Sequence, residues 1–425
     1  MRNIDFEKAS FKDFEDPAGM CAFERARYFN EFLDYLEEKE RLNYRFETTS
    51  SGGPLVELSI PFMKEKRDYV SLVSNDYLGF SQHHLVKKAA CFGIQYYGAG
   101  SGASPAIGGH YSFHRELEEK IAAFFNRDSA IIYTTGYTAN SATLLALLGT
   151  QDLVITDMKI HASMFEGCNG KNQKTFRHND LEHLEMILKS SRDQYHTRFV
   201  VVDGVYSQDG DLALLDQIVK LVHQYEGYVV MDDAHGVGVI GKTGRGVIEL
   251  QGLYKEVDII TGTFSKTFGH LGGYVIADPE LIRYLKFQSR QHLFSVTATP
   301  ASMCILKAIE LIDEQPEWRD LLWENVNYFT AGLRSLGLDI GNTQSAIVPV
   351  KIGDIALTNE VSRRLLHAGV YANPIMYPAV SKKDSRIRMS LMATHKREHV
   401  DRVLNAFEDI SRALPIRRLS DCNQT

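Results

Sequence analysis

Paired cysteines, long apolar runs and an excess of basic charge are all missing from this sequence, and each absence excludes something. The five cysteines, Cys21, Cys91, Cys168, Cys304 and Cys422, are odd in number and widely scattered. No two have the spacing of a metal site or a redox motif, so a soluble protein of a reducing compartment is expected, with no metal. No apolar run is long enough to span a bilayer, and the opening MRNIDFEKASFKDFED is acidic, without the apolar region of a signal peptide. No transmembrane segment is expected, and the expected location is cytoplasmic. Lysine and arginine number 47 against 54 aspartates and glutamates, a formal net charge of −7. That balance argues against nucleic acid as a partner, because such binders work by neutralising phosphates. Neither a GxGxxG after a strand nor a GxxxxGK[ST] occurs, which makes dinucleotide and P-loop readings poor. Internal repeats and low-complexity tracts are absent as well.

What is present is a globular composition of 425 residues, 44% hydrophobic and 24% charged, enough for a large core and for one large domain with appendages or two to three domains. Residues 22–42 read as an amphipathic helix within an N-terminal arm over 1–65, with TTSSGGP (48–54) as a turn or linker. The plain reading of the arm is a packing element, at a subunit interface. Over 66–300 short β-branched runs alternate with helical stretches such as 214–226. The runs at 130–135, 153–157, 199–204, 228–233, 257–263 and 272–277 show almost no in-and-out alternation, so both their faces should be buried. This predicts an α/β fold, a mostly parallel central sheet with helices on both faces. Helices resume at 299–336. Residues 301–425 then read as a smaller α+β domain, with strands at 346–352 and 387–392 and helices at 359–369 and 397–411.

In an open parallel sheet, ligands bind beyond the carboxyl ends of the strands. Five of the runs are followed there by small, polar or ionisable residues: Gly136-Tyr137-Thr138, His161-Ala162-Ser163, Gly204 to Ser207, Asp232 to Gly236, and Thr263 to Thr267. One such end would mean little; five indicate a site. Asp232 closes a wholly apolar strand and, once buried, needs a cation or donors, although either it or Asp233 could instead cap the next helix. His235 alone would pass for a structural histidine, but beside Asp232 at a strand end it is a better candidate. Most lysines are solvated surface charges. Lys266, flanked by Phe264 and Phe268, reads instead as a lysine in an apolar pocket, where a neutral amine is favoured and can act as a nucleophile or Schiff-base former. Gly136 and Tyr137 open a helix whose free N–H groups and positive end suit a phosphate. A lysine, a buried aspartate, a histidine over a ring and a phosphate cradle are the parts that a pyridoxal 5'-phosphate enzyme needs.

At these residues the chain resembles the α-oxoamine synthase family of pyridoxal phosphate enzymes, fold type I. The resemblance runs from about residue 66 to 410 through SNDYLGF (74–80), TTGYTAN (134–140), HASMFEG (161–167), DGVYSQDGD (203–211), DDAHGVGVIGKTGRG (232–246), TGTFSKTFGHLGG (261–273), FSVTATP (294–300) and RIRMSLMATH (386–395). It implies that Lys266 carries the cofactor and later removes the α-proton. Asp232 would pair with the pyridine nitrogen and His161 would stack on the ring. His235 and Ser207 would reach the ring hydroxyl, and Gly136, Tyr137 and Thr263 would bind phosphate. Ser295 and Thr297 would reach the phosphate of a neighbouring subunit in a homodimer with shared sites, and Asn75 and Arg388 would hold the amino acid's carboxylate. The implied reaction is the decarboxylative condensation of an amino acid with a fatty acyl thioester of coenzyme A or an acyl carrier protein.

Within the family, HASMFEG, ANPIMYPAV (372–380) and SLMATH (390–395) are most like bacterial serine palmitoyltransferases. They imply a serine-like amino acid, serine or cysteate, and a 3-keto long-chain base of sphingolipid or sulfonolipid type. Pro105 stands where such enzymes usually carry arginine, and Gly109-His110 where they carry glycine-threonine. Activities of the 8-amino-7-oxononanoate synthase or 2-amino-3-ketobutyrate ligase type are the alternatives. A catalytically silent binding subunit would be expected to lack the lysine that this chain retains.

Overall fold

The apolar runs in the middle of the chain assemble into one seven-stranded sheet in the computed structural model, which describes residues 4–63 and 67–416. Its strands are β1 (Ala130–Tyr133), β2 (Asp152–Asp157), β3 (Asn172–Phe176), β4 (Thr197–Asp203), β5 (Tyr228–Asp232), β6 (Ile259–Thr263) and β7 (Gly273–Ile276). They lie side by side in the order β1-β7-β6-β5-β4-β2-β3. Neighbours from β6 to β3 pair in parallel, and β7 runs antiparallel to both β6 and β1. All six expected runs are strands, most of them shortened, while Asp152–Asp157 and Thr197–Asp203 begin one and two residues earlier than expected. The run at 130–135, for example, stops at Tyr133 because Thr135 turns the chain into a helix, its Oγ1 accepting from the Thr138 N–H at 2.9 Å. β3 was not expected. Its sequence NQKTF is polar and alternately exposed because it forms the sheet's edge.

Helices α1 (Gly136–Leu147), α2 (Ala162–Gly167), α3 (Leu181–Ser191) and α4 (Leu215–Gln224) follow β1, β2, β3 and β4 in turn. Val154, Val201, Val230 and Ile259 of successive strands are buried with Ala139, Ala142 and Leu144 of α1 in one core cluster. Burying each such aliphatic side chain stabilises by about 1.5–3 kcal/mol, which fixes the strand ends where the polar residues begin. The pairing sets Asp203 beside Asp232, and Asp232 beside Thr261.

Two compact units divide the chain. Asn75–Trp323 with Gln344–Ala346 form the unit that contains the whole seven-stranded sheet. The other takes the described residues up to Ser74 together with 324–343 and those from 347 onward. It holds a four-stranded sheet, ordered Glu47–Thr48, Leu55–Ser59, Arg67–Ser71, Val370–Tyr371, and a three-stranded one, ordered Ile347–Lys351, Arg386–Ser390, Asn373–Ile375. The N-terminal helix spans Ala22–Glu38, short of the expected 42, since Glu40 takes a left-handed backbone. Its Phe32 is buried against Phe14 of the same arm, with ring centroids 4.7 Å apart.

Candidate active site

The carboxyl ends of β1, β2, β4, β5 and β6 surround one cavity of about 260 Å³. Gly136, Tyr137, His161, Asp232, His235, Thr263 and Lys266, singled out from the sequence, all line it. Asp232, the last residue of β5, is buried and held by two neutral donors. Its Oδ1 accepts from the Ala234 N–H at 2.9 Å and its Oδ2 from Asn140 Nδ2 at 2.6 Å. Burial, and then the charge of Asp232, pushes the carboxyl of Asp203 well above the usual carboxylate range. Asp232 itself lines the cavity wall.

Asp233 settles the question of the cap. Its Oδ2 accepts from the N–H of Val247, the first residue of the helix Val247–Gln251, at 2.8 Å. Burial raises its carboxyl to about 7. Gly204, Gly236 and Gly246 crowd it so closely that a Cβ on Gly246 would stand 1.8 Å from Asp233 Oδ2. Adjacent aspartates thus divide the work, Asp232 facing the cavity and Asp233 fastening the loop that follows.

Lys266 is half-buried on the cavity wall, and its Nζ lies 2.8 Å from His235 Nε2. His235 Nδ1 lies 2.6 Å from Tyr77 Oη, which donates to Asn75 Oδ1 at 3.3 Å. The flanking phenylalanines do not form an apolar pocket around the amine, as expected from the sequence. Phe264 and Phe268 are fully buried against Tyr274 and each other, because their bulk is better placed in the core. Polar groups surround Lys266 instead.

His161 caps α2, its Nδ1 accepting from the Ser163 N–H at 3.3 Å and lying 2.7 Å from Ser163 Oγ. Burial holds its imidazole below the ordinary value, so a neutral ring faces the cavity. Asn140 Nδ2 also donates to Ser163 Oγ at 2.9 Å. One amide group therefore ties the Asp232 carboxylate to the residue that orients His161.

Gly136 opens α1 at the cavity, and a Cβ there would stand 2.6 Å from Thr263 Cβ. Only glycine leaves this helix N-terminus open to an anion. Thr263 Oγ1 donates to the Gly272 carbonyl at 2.9 Å and lies 2.7 Å from Ser265 Oγ. An amine, a buried carboxylate, a flat neutral ring and an anion cradle around one cavity fit an aldehyde-bearing, phosphorylated cationic heterocycle.

The remaining expected residues are not on this wall. Ser207 is partly buried in the loop after β4, and Asn75 accepts from Tyr77 Oη at 3.3 Å. Ser295 is exposed, and Thr297 is buried with Oγ1 3.4 Å from His114 Nε2. Arg388 belongs to the other unit, buried in the middle strand of its three-stranded sheet, and donates from Nη1 to Ser390 Oγ at 3.1 Å. Sequence reasoning passed over Tyr77, Asn140, Ser163 and Asp203. All four sit inside quoted motifs, where a polar residue on an otherwise apolar helix (Asn140) was the available signal. Among the described residues no group of side chains could hold a metal ion, and no helix is long and apolar enough to cross a membrane.

Comparison with known proteins adds three findings. The family model for aminotransferase class I and II matches residues 67–407. The 8-amino-7-oxononanoate synthase of Thermoanaerobacter pseudethanolicus is 38% identical over 394 residues, covering 90% of this chain and 98% of that protein. Among solved structures, the serine palmitoyltransferase of Sphingomonas wittichii superposes with a TM-score of 0.86 at 30% identity, covering 91% of this chain and 97% of that one. A serine palmitoyltransferase from S. paucimobilis, solved with a bound PLP–myriocin aldimine, gives a TM-score of 0.87 at 28% identity, with 93% and 99% covered.

Proposed function

The chain belongs to the α-oxoamine synthases, pyridoxal phosphate enzymes within the aminotransferase class I and II family, and from that membership we propose that it joins an amino acid to an acyl thioester with loss of the amino acid's carboxyl group as carbon dioxide, giving a 2-amino ketone. The observation that carries this reading is the meeting of Lys266, His235, Asp232 and His161 on one cavity.

When bound, pyridoxal phosphate supplies an electron sink for the carbanion at the amino acid's α-carbon. The chain's own residues do the rest. Lys266 Nζ is the group that gives and takes a proton, with His235 Nε2 2.8 Å away as its hydrogen-bond partner. Asp232, kept from turning away by Ala234 and Asn140, supports a positive ring nitrogen. His161 offers a flat, neutral face. The N–H groups of Gly136 and Tyr137 take a phosphate, and the hydroxyl of Thr263 joins them by turning from the Gly272 carbonyl. The same reading assigns Ser207, with His235, to the ring hydroxyl, and Asn75 and Arg388 to the carboxylate of the amino acid. It assigns Ser295 and Thr297 to the phosphate of a second copy. Phe294 and Val296 beside them are 69% and 42% exposed, as suits a segment that meets another chain.

For the substrates, the curated relatives favour the biotin-precursor type of reaction over the sphingolipid type expected first. In 8-amino-7-oxononanoate the amino group sits on C8, between a terminal methyl group and the C7 ketone. Decarboxylative condensation reaches that skeleton from alanine and the thioester of a seven-carbon dicarboxylic acid. Serine with a long-chain acyl thioester is the second reading, favoured by the fit to the serine palmitoyltransferase structures. A panel of alanine, serine, cysteate and glycine against a seven-carbon dicarboxylic thioester and a palmitoyl thioester separates them. Alanine with the dicarboxylic thioester should turn over fastest; turnover confined to serine or cysteate with palmitoyl would transfer the assignment to the second reading. Free thiol released with none of these pairs would sink both.

A further inference from the structure

At the ends of β2, β3 and β4 lies a charged cluster that the chemistry above does not use. His178, just after β3, stands between two carboxylates. Its Nδ1 is 3.2 Å from both oxygens of Asp157, the buried last residue of β2, and its Nε2 is 2.8 Å from Asp211 Oδ2 in the loop after β4. An ionised carboxylate only accepts, so both ring nitrogens must carry hydrogen and the ring is an imidazolium. Burial alone would draw its pKa down. The hydrogen bonds and charges of Asp157 and Asp211 outweigh burial and raise it to about 9.

The surrounding contacts join the same segments. Asp157 Oδ1 accepts from the Lys159 N–H at 2.8 Å, and its Oδ2 from the Asn179 N–H at 3.0 Å. Lys159 Nζ donates to Asp209 Oδ2 at 2.9 Å, a second ionic tie between the stretch before His161 and the loop after β4. Asn179 Nδ2 donates to the Leu212 carbonyl at 3.0 Å. The Tyr206 ring stands edge-on to His178 at 4.4 Å, and burial keeps its phenol well above the ordinary range. The ionised groups facing the imidazolium are therefore Asp157 and Asp211, with the Lys159–Asp209 pair beside them. Both tied segments carry site residues. One ends in His161; the other starts at Asp203, whose Oδ1 accepts from the His161 N–H at 3.3 Å.

We propose that His178 is a positioning residue, whose bridge between Asp157 and Asp211 holds the two loops together and thereby sets the His161 ring over the face of the cofactor. The inference rests on the reading of His161 as the residue on that face.

His178→Gln tests it, since one uncharged amide cannot donate to both carboxylates across the span of the ring. The readouts are the thermal midpoint of the apoenzyme, the dissociation constant of pyridoxal phosphate, and the visible circular dichroism of the holoenzyme from pH 7 to 10. We expect cofactor binding about tenfold weaker, as for loss of a hydrogen bond to a charged group. The dichroism should be reduced and should lack the basic limb near pH 9 expected of the wild type. Wild-type affinity and pH dependence in the variant would overturn the proposal, as would a lowered thermal midpoint with unchanged affinity. Should His178→Gln fail to fold, Asp211→Asn, which keeps the shape and removes one charge, takes its place, and unchanged affinity there overturns the proposal too. His161→Ala tells the two levels apart. If it leaves affinity and dichroism untouched, the site reading fails and takes the clamp with it; if it changes them while the His178 variant does not, the clamp alone fails.

Discussion

Exchanging Lys266 for alanine removes the amine that lines the cavity, and activity should fall by at least about a thousandfold, the range expected for loss of a proton-transferring group. Borohydride reduction of the wild type followed by peptide mapping should place the pyridoxyl mass on Lys266, and label on another lysine would contradict the assignment. Asp232→Asn keeps the shape and the acceptor for the Ala234 N–H. It removes the charge that supports a cationic ring nitrogen. Cofactor should remain bound, seen in the visible spectrum, while turnover drops about a hundredfold or more, as for loss of an electrostatic group aimed at developing charge. Near-normal turnover would show that Asp232 is merely structural. At this scale the sequence was only partly legible. Adjacent aspartates could not be told apart by type, and the crowding of glycines around Asp233 separates them only in three dimensions. Tyr77 and Ser163 gave no signal because their roles lie in contacts with residues distant in the chain or with the backbone.

The strands that carry the site were legible because both faces of a central parallel strand are buried, so its sequence reads as an unbroken apolar run. β3 escaped because an edge strand has no such requirement. The turn after β3 escaped with it, and that turn holds His178. Its titration makes an expectation about the sheet ends. A histidine whose folded pKa lies above its unfolded one adds stability that is fully present below about pH 6.5 and lost as pH rises through about 9. The thermal midpoint of the wild type should therefore exceed that of His178→Gln most at pH 6, and the gap should close toward pH 9.5. The full effect is on the order of 3 kcal/mol at most. A gap that is constant or widens over that window would mean that the ring is neutral in the folded protein.

For the whole molecule, the reading requires two chains. Neither Ser295 nor Thr297 lines the cavity of its own chain. Mixing Lys266→Ala chains with Thr297→Trp chains should restore activity, because one of the two sites in each mixed dimer has both residues intact. Random pairing gives about a quarter of the wild-type sites. No recovery from two folded variants would count against shared sites. The decisive measurement uses alanine and serine labelled with ¹³C in the carboxyl group, each with an acyl thioester, and follows labelled carbon dioxide against released thiol. The account expects one labelled carbon dioxide for each thiol and an unlabelled 2-amino ketone. Label retained in the product, or a keto acid formed with no thiol released, would contradict it.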